Sequence, residues 1–532
     1  MIIASEPELV ALAAALGADK VEGLVPAERA LLRAATKAAG RLDPRTIAQV
    51  RDEIRDGRDP LGDAFCTLRD AAERRPQGAT YTPLPIVDAM IAWARDHGGA
   101  LARVVDPGAG SGRFVVAAGR AFPAASLVAV ELDPLAALLA RAHLAASGLA
   151  RRARVLVGDY RNVKLPALPR GRTLFLGNPP YVRHHDITPR WKRWLTDAAL
   201  ARGLRASQLA GLHVHFFLAT LDHARDGDLG AFITAAEWLD VNYGQLVRQL
   251  FLDGLGGSGL HVVEPTANPF PDAMTTAAIT CFTVGRPATD VQVRSVARLE
   301  DLGALDQGRN VPAASLASAP RWSPFLIAPK RVPAGHIELG EICRVSRGQV
   351  TGANKFWIAG PHAADLPPEL LVPTITKARE LIAVGLRLAD ATKLRRIVDL
   401  PEDLDTLPAD QKKAVQTFLR RAREAGVDRG YIATHRRAWW SVGLYAPAPI
   451  LATYMARRAP AFVRNLVGAR HINIAHGLYP RTPLAPAQLD ALARHLSSSV
   501  SQADGRTYAG GLTKFEPREM ERLHVPLPDA LT

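Results

Sequence analysis

Apolar residues follow two different patterns in the first 290 residues of the chain. Over 1–75 they recur at helical spacing, as at Leu9, Leu12 and Leu16, which predicts a helical N-terminal segment. Over 76–290, short apolar runs alternate with helix-length stretches. The runs predict buried strands at 104–105, 127–130, 155–157, 174–176, 229–234, 260–264 and 277–284. Helices are predicted at 113–121, 134–147 and 242–252.

The alternation of strands and helices predicts an α/β domain over 76–290. Such a pattern implies a mostly parallel, Rossmann-like sheet with helices on both faces. Residues 291–335 carry scattered Pro and Ala with weak periodicity, so we interpret them as a linker. Residues 336–532 mix both patterns and predict a second domain of the α+β class.

Composition and cysteine usage narrow the class of protein. A hydrophobic fraction of 48% and a mean hydropathy of +0.00 are typical of a soluble globular protein. No apolar run is long enough to span a membrane, and the first residues lack the order of a secretory signal. The three cysteines, Cys66, Cys281 and Cys343, lie far apart and match no metal-ligand spacing. We therefore expect a cytoplasmic protein with no disulfide framework and no metal.

The charge balance tells more about the binding partner than composition or cysteine usage does. The chain holds 66 Lys and Arg against 52 Asp and Glu, a formal net charge of +14. A basic surface attracts polyanions and adds affinity for phosphate backbones. A GC-rich genome would explain the use of Arg for Lys, but not the excess over acidic residues. The charge therefore favours a nucleic-acid partner.

Three consecutive predicted strands end in candidate ligands for a nucleoside. The first leads into Asp106-Pro107-Gly108-Ala109-Gly110-Ser111-Gly112, whose glycines allow a close backbone approach before a helix begins. Glu131 at the second strand end can bind both ribose hydroxyls, and Asp159 at the third can accept from an adenine amino group. Each acid alone is as easily a helix N-cap. NAD is the competing cofactor, but the loop reads Gly-x-Gly-x-Gly rather than Gly-x-Gly-x-x-Gly.

The tetrapeptide Asn178-Pro179-Pro180-Tyr181 follows the fourth predicted strand. An exocyclic amino nitrogen of adenine is a weak nucleophile, because its lone pair is delocalised into the ring. The Asn178 side-chain oxygen and the Pro179 carbonyl can accept from its two hydrogens and favour a more tetrahedral nitrogen. Tyr181 offers a flat face to a base taken out of a duplex. The alternative interpretation is a strand-ending turn.

With these motifs in this order, residues 76–530 resemble the gamma-class amino-methylating DNA methyltransferases of the TaqI type. The resemblance implies a class I methyltransferase domain with a mixed seven-stranded sheet, the cofactor S-adenosylmethionine, and a C-terminal target recognition domain over 336–532. Gly78-Ala79-Thr80-Tyr81-Thr82-Pro83 looks like the first cofactor segment of the family, which places Tyr81 and Thr82 near the methionine part. By the same resemblance, Asp106, Gly108 and Gly110 form the loop under the cofactor. Phe270 looks like the aromatic residue that packs on the flipped base, although such a residue taken alone belongs more often to a core.

Candidate DNA contacts follow from the resemblance and from charge. The segments 347–356 and 509–517 resemble conserved parts of recognition domains, and both are Gly-rich with flanking cations. The segment 183–193, directly after the tetrapeptide, is predicted to be a mobile loop over the DNA or the cofactor mouth. Arg436, Arg437, Trp439, Trp440, Arg457 and Arg458 are either DNA contacts or a solvated basic face with two buried Trp. The cations predicted to contact DNA are Arg183, Lys192, Arg347, Lys355, Arg436, Arg437 and Lys514.

The leading hypothesis is a site-specific DNA methyltransferase that acts on adenine N6. We expect a monomer that acts alone or beside a separate restriction endonuclease. Methylation of cytosine N4 is the nearest alternative; the order of segments and Tyr181 favour adenine. Enzymes that methylate RNA or a protein glutamine use similar tetrapeptides, but usually lack a basic C-terminal domain. A DNA-binding specificity subunit with a vestigial methylase half is a further alternative, which the intact series of motifs disfavours.

Overall fold

The computed structural model describes residues 3–36, 42–69, 82–168, 170–264, 267, 276–326, 332–456, 458–508 and 512–531. The chain divides into two units, Met1–Pro329 and Lys330–Thr532. In the described part of the chain, no helix combines the length and the apolar character needed to cross a membrane.

A nine-stranded sheet runs through the N-terminal unit. Its strands are β1 (Leu101–Asp106), β2 (Ser126–Glu131), β3 (Ala153–Val157), β4 (Arg172–Gly177), β5 (Leu229–Ala235), β6 (Gly257–Val263), β7 (Ala277–Thr283), β8 (Asp290–Val296) and β9 (Arg309–Pro312). The order is β3-β2-β1-β4-β5-β7-β6-β8-β9, and β7 is antiparallel to both β5 and β6. The first seven positions of this order confirm the class I methyltransferase fold with its mixed seven-stranded sheet.

Helices cover both faces of this sheet. They are α1 (Glu6–Ala15), α2 (Pro26–Ala34), α3 (Pro44–Arg55), α4 (Pro60–Leu68), α5 (Leu84–Gly98), α6 (Arg113–Ala121), α7 (Pro134–Ala146), α8 (Pro189–Leu200), α9 (Leu212–His223), α10 (Gln245–Leu252) and α11 (Ala313–Ser318). Successive strand residues face opposite sides. Val104 packs in a core with α5 and α6, whereas Val105 packs in a second core with α9 and α10.

The N-terminal helices α1–α4 pack on α7, which is buried on two sides. Ala137 and Leu144 of α7 face the sheet core, while Leu138 and Leu139 join a separate cluster with the N-terminal helices. The predicted helical segment is therefore attached to the sheet through one helix of the domain.

The linker interpretation of 291–335 is wrong for the residues that the structure describes there. Strand β8 pairs with β6, β9 pairs with β8, and the Trp322 side chain is buried in the same core as α10. Val291 and Val293 alternate with more exposed positions, as in a strand with one buried face. The segment was hard to recognise because β9 and α11 are too short to show a period.

The C-terminal unit is a mixed α+β structure. Its strands are β10 (His336–Glu338), β11 (Cys343–Arg347), β12 (Leu371–Ile375), β13 (Arg387–Leu388), β14 (Arg395–Val398), β15 (Ile450–Thr453), β16 (Met455–Ala456), β17 (Phe462–Asn465), β18 (Arg470–His471), β19 (Ala475–Pro480), β20 (Arg506–Tyr508), β21 (Leu512–Lys514) and β22 (His524–Pro526). Its helices are α12 (Leu339–Ile342), α13 (Asn354–Trp357), α14 (Ala378–Ala383), α15 (Ala409–Glu424), α16 (Tyr431–Thr434), α17 (Pro486–Ser499) and α18 (Pro517–Glu521). The largest sheet has the order β11-β19-β15-β17-β13, and α15 and α17 each pack in a separate core.

Candidate cofactor and catalytic site

A cavity of about 350 Å³ lies at the carboxyl edge of the sheet in the N-terminal unit. The loops after β1, β2, β3 and β4 all contribute to its wall. Parallel strands bring their carboxyl ends to one edge, which is where open α/β sheets bind ligands. Residues that sequence analysis picked at four separate strand ends therefore meet at a single cavity: Gly108, Gly110, Glu131, Asp159 and Asn178.

The Glu131 carboxylate is fixed in the cavity wall by backbone amides. Its Oε2 accepts from Gly110 N at 2.8 Å, and its Oε1 accepts from Leu132 N at 2.7 Å and Asp133 N at 2.9 Å. Burial raises the pKa of Glu131, and these amide donors act in the opposite direction. Counting two lone pairs on each oxygen, Oε2 keeps one for a further donor, such as a hydroxyl of a ribose.

Asp106 lies beneath the glycine-rich loop rather than in the cavity wall. Its carboxylate accepts from the amide of Val115 at 3.3 Å, and the side chain is fully buried. Burial raises the pKa of Asp106 to about 8. The same carboxylate explains a glycine, because a Cβ at Gly177 would stand 2.8 Å from Asp106 Oδ1. The absence of a side chain at Gly177 thus leaves room for the Asp106 carboxylate between the ends of the paired strands β1 and β4.

Asp159 lines the cavity, but its carboxylate already has a cationic partner. Arg161 donates to it through Nε at 2.8 Å and Nη2 at 2.5 Å. The guanidinium carbon of Arg161 also lies 3.7 Å from the centre of the Trp191 ring, a cation–π contact. The predicted role of Asp159 toward an adenine amino group therefore depends on lone pairs that Arg161 does not use.

The Asn178 side chain is oriented by a neighbour from the family-like first segment. Asn178 Nδ2 donates to Thr82 Oγ1 at 3.0 Å, and both residues line the cavity. Thr82 is itself buried, and its carbonyl accepts from Arg113 at 3.0 Å. Since the amide nitrogen points at Thr82, the Asn178 oxygen lies on the other side of the amide group.

The other residues of the tetrapeptide are placed differently. Pro180 lines the cavity, whereas Pro179 is buried and Tyr181 packs against the core that contains α5 and α6. Burial raises the pKa of Tyr181 well above its ordinary value. In this structure the Tyr181 ring is not part of the cavity wall. Tyr81 and Phe270, the other aromatic candidates, lie outside the described residues.

The segment 183–193 borders the cavity, as predicted for a cofactor mouth, but is not simply a loop. It contains a short 3-10 turn over His184–Asp186 and the first turns of α8. Ile187, Thr188 and Trp191 line the cavity. Arg183 is exposed and Lys192 is half-buried.

The two family-like segments of the C-terminal unit meet at one acidic residue. Arg347 Nη2 lies 2.8 Å from Glu516 Oε2, and Lys514 Nζ lies 2.5 Å from Glu516 Oε1. The Arg347 guanidinium is also 5.3 Å from the centre of the Tyr454 ring. Glu516 therefore partly neutralises both cations that sequence analysis assigned to DNA.

The remaining cations of this unit differ in exposure. Lys355 is exposed, and the Arg437 side chain is 88% exposed with Glu402 3.7 Å away. Arg436 is half-buried and donates to the Val350 carbonyl at 2.6 Å. Burial lowers the pKa of Arg436. Trp439 and Trp440 are half-buried rather than buried, Arg458 is exposed, and Arg457 lies outside the described residues.

Sequence analysis missed three residues that shape the cavity or its loops, Asp59, Phe65 and Arg161. It included Trp191 only as a member of the segment 183–193. Asp59 precedes Pro60 and carries the signal of a helix N-cap, which it is. Nothing in the sequence tells that its carboxylate also reaches Ser111, 52 positions further along the chain. No group of three or more His, Cys, Asp or Glu suited to a metal ion is found within the described ranges.

The fold and this edge of the sheet define a class: a methyltransferase that uses S-adenosylmethionine. A family model described as "Type II methyltransferase M.Eco57I, C-terminal domain" matches residues 331–532. The type II methyltransferase M.XamI of Xanthomonas campestris pv. amaranthicola is 52% identical over 535 residues, which cover 99% of each chain. The type II methyltransferase M.AccI of Acinetobacter calcoaceticus is 21% identical over 83% of this chain and 84% of its own. Among solved structures, the type IIG restriction endonuclease BpuSI aligns with 98% of this chain and 70% of that chain, at 15% identity and a TM-score of 0.49.

The chain therefore belongs to the gamma-class type II DNA methyltransferases with a C-terminal domain. Its segments stand in the order expected from the sequence for that class: glycine-rich loop, Asn-Pro-Pro-Tyr tetrapeptide, C-terminal domain.

Proposed function

We propose that this protein methylates the N6 amino group of adenine in a specific DNA sequence, with S-adenosylmethionine as the donor. The observation that carries the proposal is the Asn178 amide, oriented by Thr82 at 3.0 Å beside a cavity that also contains Glu131 and Asp159. A nucleoside ligand site and a hydrogen-bond acceptor for an amino group thus share one cavity.

The residues present fit the cofactor. Glu131 would bind the ribose hydroxyls, and Gly108 and Gly110 would let the backbone approach the methionine part. Asp159 would accept from the adenine amino group of the cofactor. S-adenosylmethionine supplies a methyl group on a sulfonium, which is an electrophile without any metal.

The Asn178 oxygen and the Pro179 carbonyl would accept from the two hydrogens of the target amino group. These hydrogen bonds would favour a tetrahedral nitrogen, whose lone pair could accept the methyl group that the sulfonium supplies, with the thioether as the leaving group. The methylated nitrogen would then lose one proton to solvent water, since the two amide oxygens accept hydrogen bonds but are too weakly basic to keep a proton. Because these acceptors act most strongly on the partly positive nitrogen of the transition state, they would raise the rate of the chemical step.

An adenine inside a duplex cannot reach this cavity, so we propose that the target base is flipped out of the helix. Phe270 would pack on the flipped base. For Tyr181, we propose that stacking on the base requires the ring to leave the core position described above. Tyr81 together with Thr82 would border the methionine part of the cofactor.

DNA contacts would come mainly from cations that are exposed to solvent. Arg183, Lys355 and Arg437 are exposed and suit phosphate contacts. Lys192 and Arg436 are half-buried. Arg347 and Lys514 would remain paired with Glu516. They would therefore contribute one fixed, partly neutralised positive cluster rather than two separate phosphate contacts.

The cellular setting is part of the same proposal. We propose a cytoplasmic monomer that acts alone or protects sites from a separate restriction endonuclease, since one flipped base needs only one catalytic domain. Light scattering of the purified protein with and without DNA tests the monomer, and a dimer in both states would contradict it.

The proposed activity is tested by identifying which molecule receives a labelled methyl group from S-adenosylmethionine. We expect label from S-adenosylmethionine in duplex DNA, and not in RNA or in ribosomal proteins and release factors. Hydrolysis of the DNA should return the label as N6-methyladenine. Recovery as N4-methylcytosine would favour the cytosine alternative, and label in protein alone would contradict a DNA substrate.

A further inference from the structure

We infer that the N-terminal helical segment, described over residues 3–36 and 42–69, is a functional part of the cofactor site. It holds the two loops that carry the cofactor ligands and supplies part of the cavity wall. The inference rests on the proposed binding of S-adenosylmethionine in that cavity. Asp59, Phe65 and Arg69 are the residues that carry it.

Asp59 ties the segment to the glycine-rich loop after β1. The side chain is buried, and its Oδ2 accepts from the Ser111 hydroxyl and from Arg113 Nε at 2.7 Å. Its Oδ1 accepts from Gly62 N at 2.8 Å and caps α4. One carboxylate thus joins the start of a helix in the segment to the loop that must approach the ligand.

The Asp59 carboxylate is ionised in this position. Burial opposes its charge, but His143, Arg113 and the hydrogen bonds outweigh burial and hold its pKa below the ordinary value. Burial lowers the pKa of His143, whose Nδ1 is 3.7 Å from Asp59, so Arg113 is the permanent cation beside it. Arg113 also bonds Asp63 at 2.6 Å and the Thr82 carbonyl at 3.0 Å, and Thr82 orients Asn178.

Arg69 ties the same segment to the loop after β2. Its Nη1 donates to Asp133 Oδ2 at 2.6 Å, and its Nε donates to Glu6 at 2.6 Å. Asp133 in turn donates from its amide to the Glu131 carboxylate at 2.9 Å. The position of the proposed ribose ligand is therefore linked through Asp133 to Arg69.

Phe65 places the segment directly in the site. Its ring is buried, lines the cavity together with Leu132 and Asp133, and lies 5.1 Å from the Arg69 guanidinium carbon. Asp59, Phe65 and Arg69 lie on or beside one short helix, α4. A single helix outside the Rossmann-like domain thus contacts both ligand loops and the cavity.

The contacts of Asp59 and Arg69 should affect the affinity for the cofactor more than the rate of the chemical step. Loops that are held before binding lose less conformational freedom when the ligand arrives. Asp59 and Arg69 are accordingly positioning residues that act through Ser111, Arg113 and Asp133. Loss of either should raise the KM for S-adenosylmethionine by a larger factor than it lowers kcat at saturating cofactor.

The test measures cofactor binding and stability on the same full-length variants. Asp59→Ala and Arg69→Met should each weaken the Kd for S-adenosylmethionine by about tenfold or more, because each removes hydrogen bonds between charged groups. Phe65→Leu is a third variant with a conservative change, in case Asp59→Ala fails to fold. Isothermal titration calorimetry gives Kd, and initial rates on DNA give KM and kcat.

Two control variants separate positioning from general stability. Asp43→Ala removes the N-cap of α3, where the exposed Asp43 carboxylate accepts from Arg45 N but contacts neither ligand loop. Leu12→Ala creates a cavity in the core of the segment and should lower Tm. Both controls should bind the cofactor within about twofold of the unmodified protein.

The outcomes distinguish this inference from the proposed function. If the unmodified protein does not bind S-adenosylmethionine, the proposed function fails and the inference falls with it. If it binds but Asp59→Ala and Arg69→Met bind equally well, only the inference is overturned. If Leu12→Ala weakens binding as much as Asp59→Ala at a similar loss of Tm, the segment acts through stability alone and the inference is also overturned.

Discussion

At the scale of single residues, the Asn178 side chain stands at the centre of the proposed chemistry. Its Nδ2 donates to Thr82 Oγ1, so the orientation of its oxygen depends on a hydroxyl 96 positions earlier in the chain. Gly177 before it accommodates the Asp106 carboxylate, which a Cβ would obstruct. The position and the direction of the Asn178 amide are thus set by two different neighbours.

The change Asn178→Ala should lower kcat by about 10²- to 10³-fold or more, the usual cost of losing one such transition-state acceptor or donor. The Kd for S-adenosylmethionine should change only a few-fold, because the proposed cofactor ligands are other residues, Glu131 and Asp159 among them. Calorimetry and single-turnover rates measure the two quantities. Thr82→Val, which removes only the hydroxyl partner, should give a smaller loss of kcat. Loss of cofactor binding in Asn178→Ala would show that Asn178 is structural.

Asp106 makes a separate prediction about pH. Its pKa rises from about 3.8 in the unfolded chain to about 8 in the folded protein, so the folded state binds the extra proton between these values. The stability from this group is therefore complete below about pH 4 and is lost as pH rises through 8. Asp106→Asn removes this dependence. The Tm of the variant minus that of the unmodified protein should increase from pH 5 to pH 9 without cofactor, whereas a constant difference would contradict the raised pKa.

Which site residues the sequence could reveal depends on how local their signals are. Glu131 directly follows an apolar run, and Asp159 and Asn178 each follow one after a single glycine, so strand ends alone point to them. Asp59 and Arg161 carry no such signal, since their roles come from contacts across the fold or from a side-chain pair. Tyr181 shows a different limit of sequence analysis. The tetrapeptide identifies this residue, but it does not tell against which part of the fold the ring packs.

At the scale of elements, α7 joins the N-terminal helices to the sheet through a buried ion pair. Arg141 Nε lies 2.6 Å from Glu28 Oε1, and both side chains are fully buried. Arg141 also donates to the carbonyls of Val21, Glu22 and Val155. The pair is well satisfied by hydrogen bonds, as a buried pair must be to offset the loss of water.

Breaking this pair from one side should be costly. Arg141→Ala leaves the Glu28 carboxylate buried without its cation and should lower the free energy of unfolding by about 3–5 kcal/mol. The exposed pair of Arg154 and Glu22 is the matched control, and Arg154→Ala should cost less than about 1 kcal/mol. Urea unfolding followed by circular dichroism measures both. Equal costs for the two variants would contradict the assigned role of Arg141.

The helices and strands also show which parts of the fold the hydrophobic pattern could predict. The helix predicted at 113–121 has those bounds in α6, because Gly112 before it, with a φ of 94°, marks its start. The hydrophobic pattern does not predict β8 and β9, because they extend one edge of the sheet and form through the pairing of β8 with β6 and of β9 with β8. Long, buried, regular elements are readable from sequence, whereas short edge elements depend on their neighbours.

At the scale of the whole molecule, the positively charged side chains differ in how freely they can contact DNA, because some are exposed and others are paired with a carboxylate. Much of the excess of Lys and Arg belongs to the C-terminal unit, yet Arg347 and Lys514 are paired with Glu516 there. Lys355 and Arg437 remain exposed. The net charge alone therefore overstates how many cations are available to phosphates.

Affinity for DNA as a function of salt tests this distinction. Lys355→Ala and Arg437→Ala should each weaken binding to all sequences and reduce the slope of log K against log salt by about 0.9. Lys514→Ala should reduce the slope by less, because Glu516 already neutralises part of its charge. Fluorescence anisotropy with a labelled duplex at several salt concentrations measures the slopes. An equal reduction for all three variants would contradict the partition of charges.

The identity of the methylated base in a living cell tests the central claim most directly. The protein and its Asn178→Ala variant are expressed in a bacterial host without adenine or N4-cytosine methylation, and the DNA is digested to nucleosides for mass spectrometry. We expect N6-methyldeoxyadenosine with the unmodified protein and none with Asn178→Ala, at equal levels of folded protein. N4-methyldeoxycytidine in its place, or no methylated nucleoside from a folded protein that binds S-adenosylmethionine, would contradict the account.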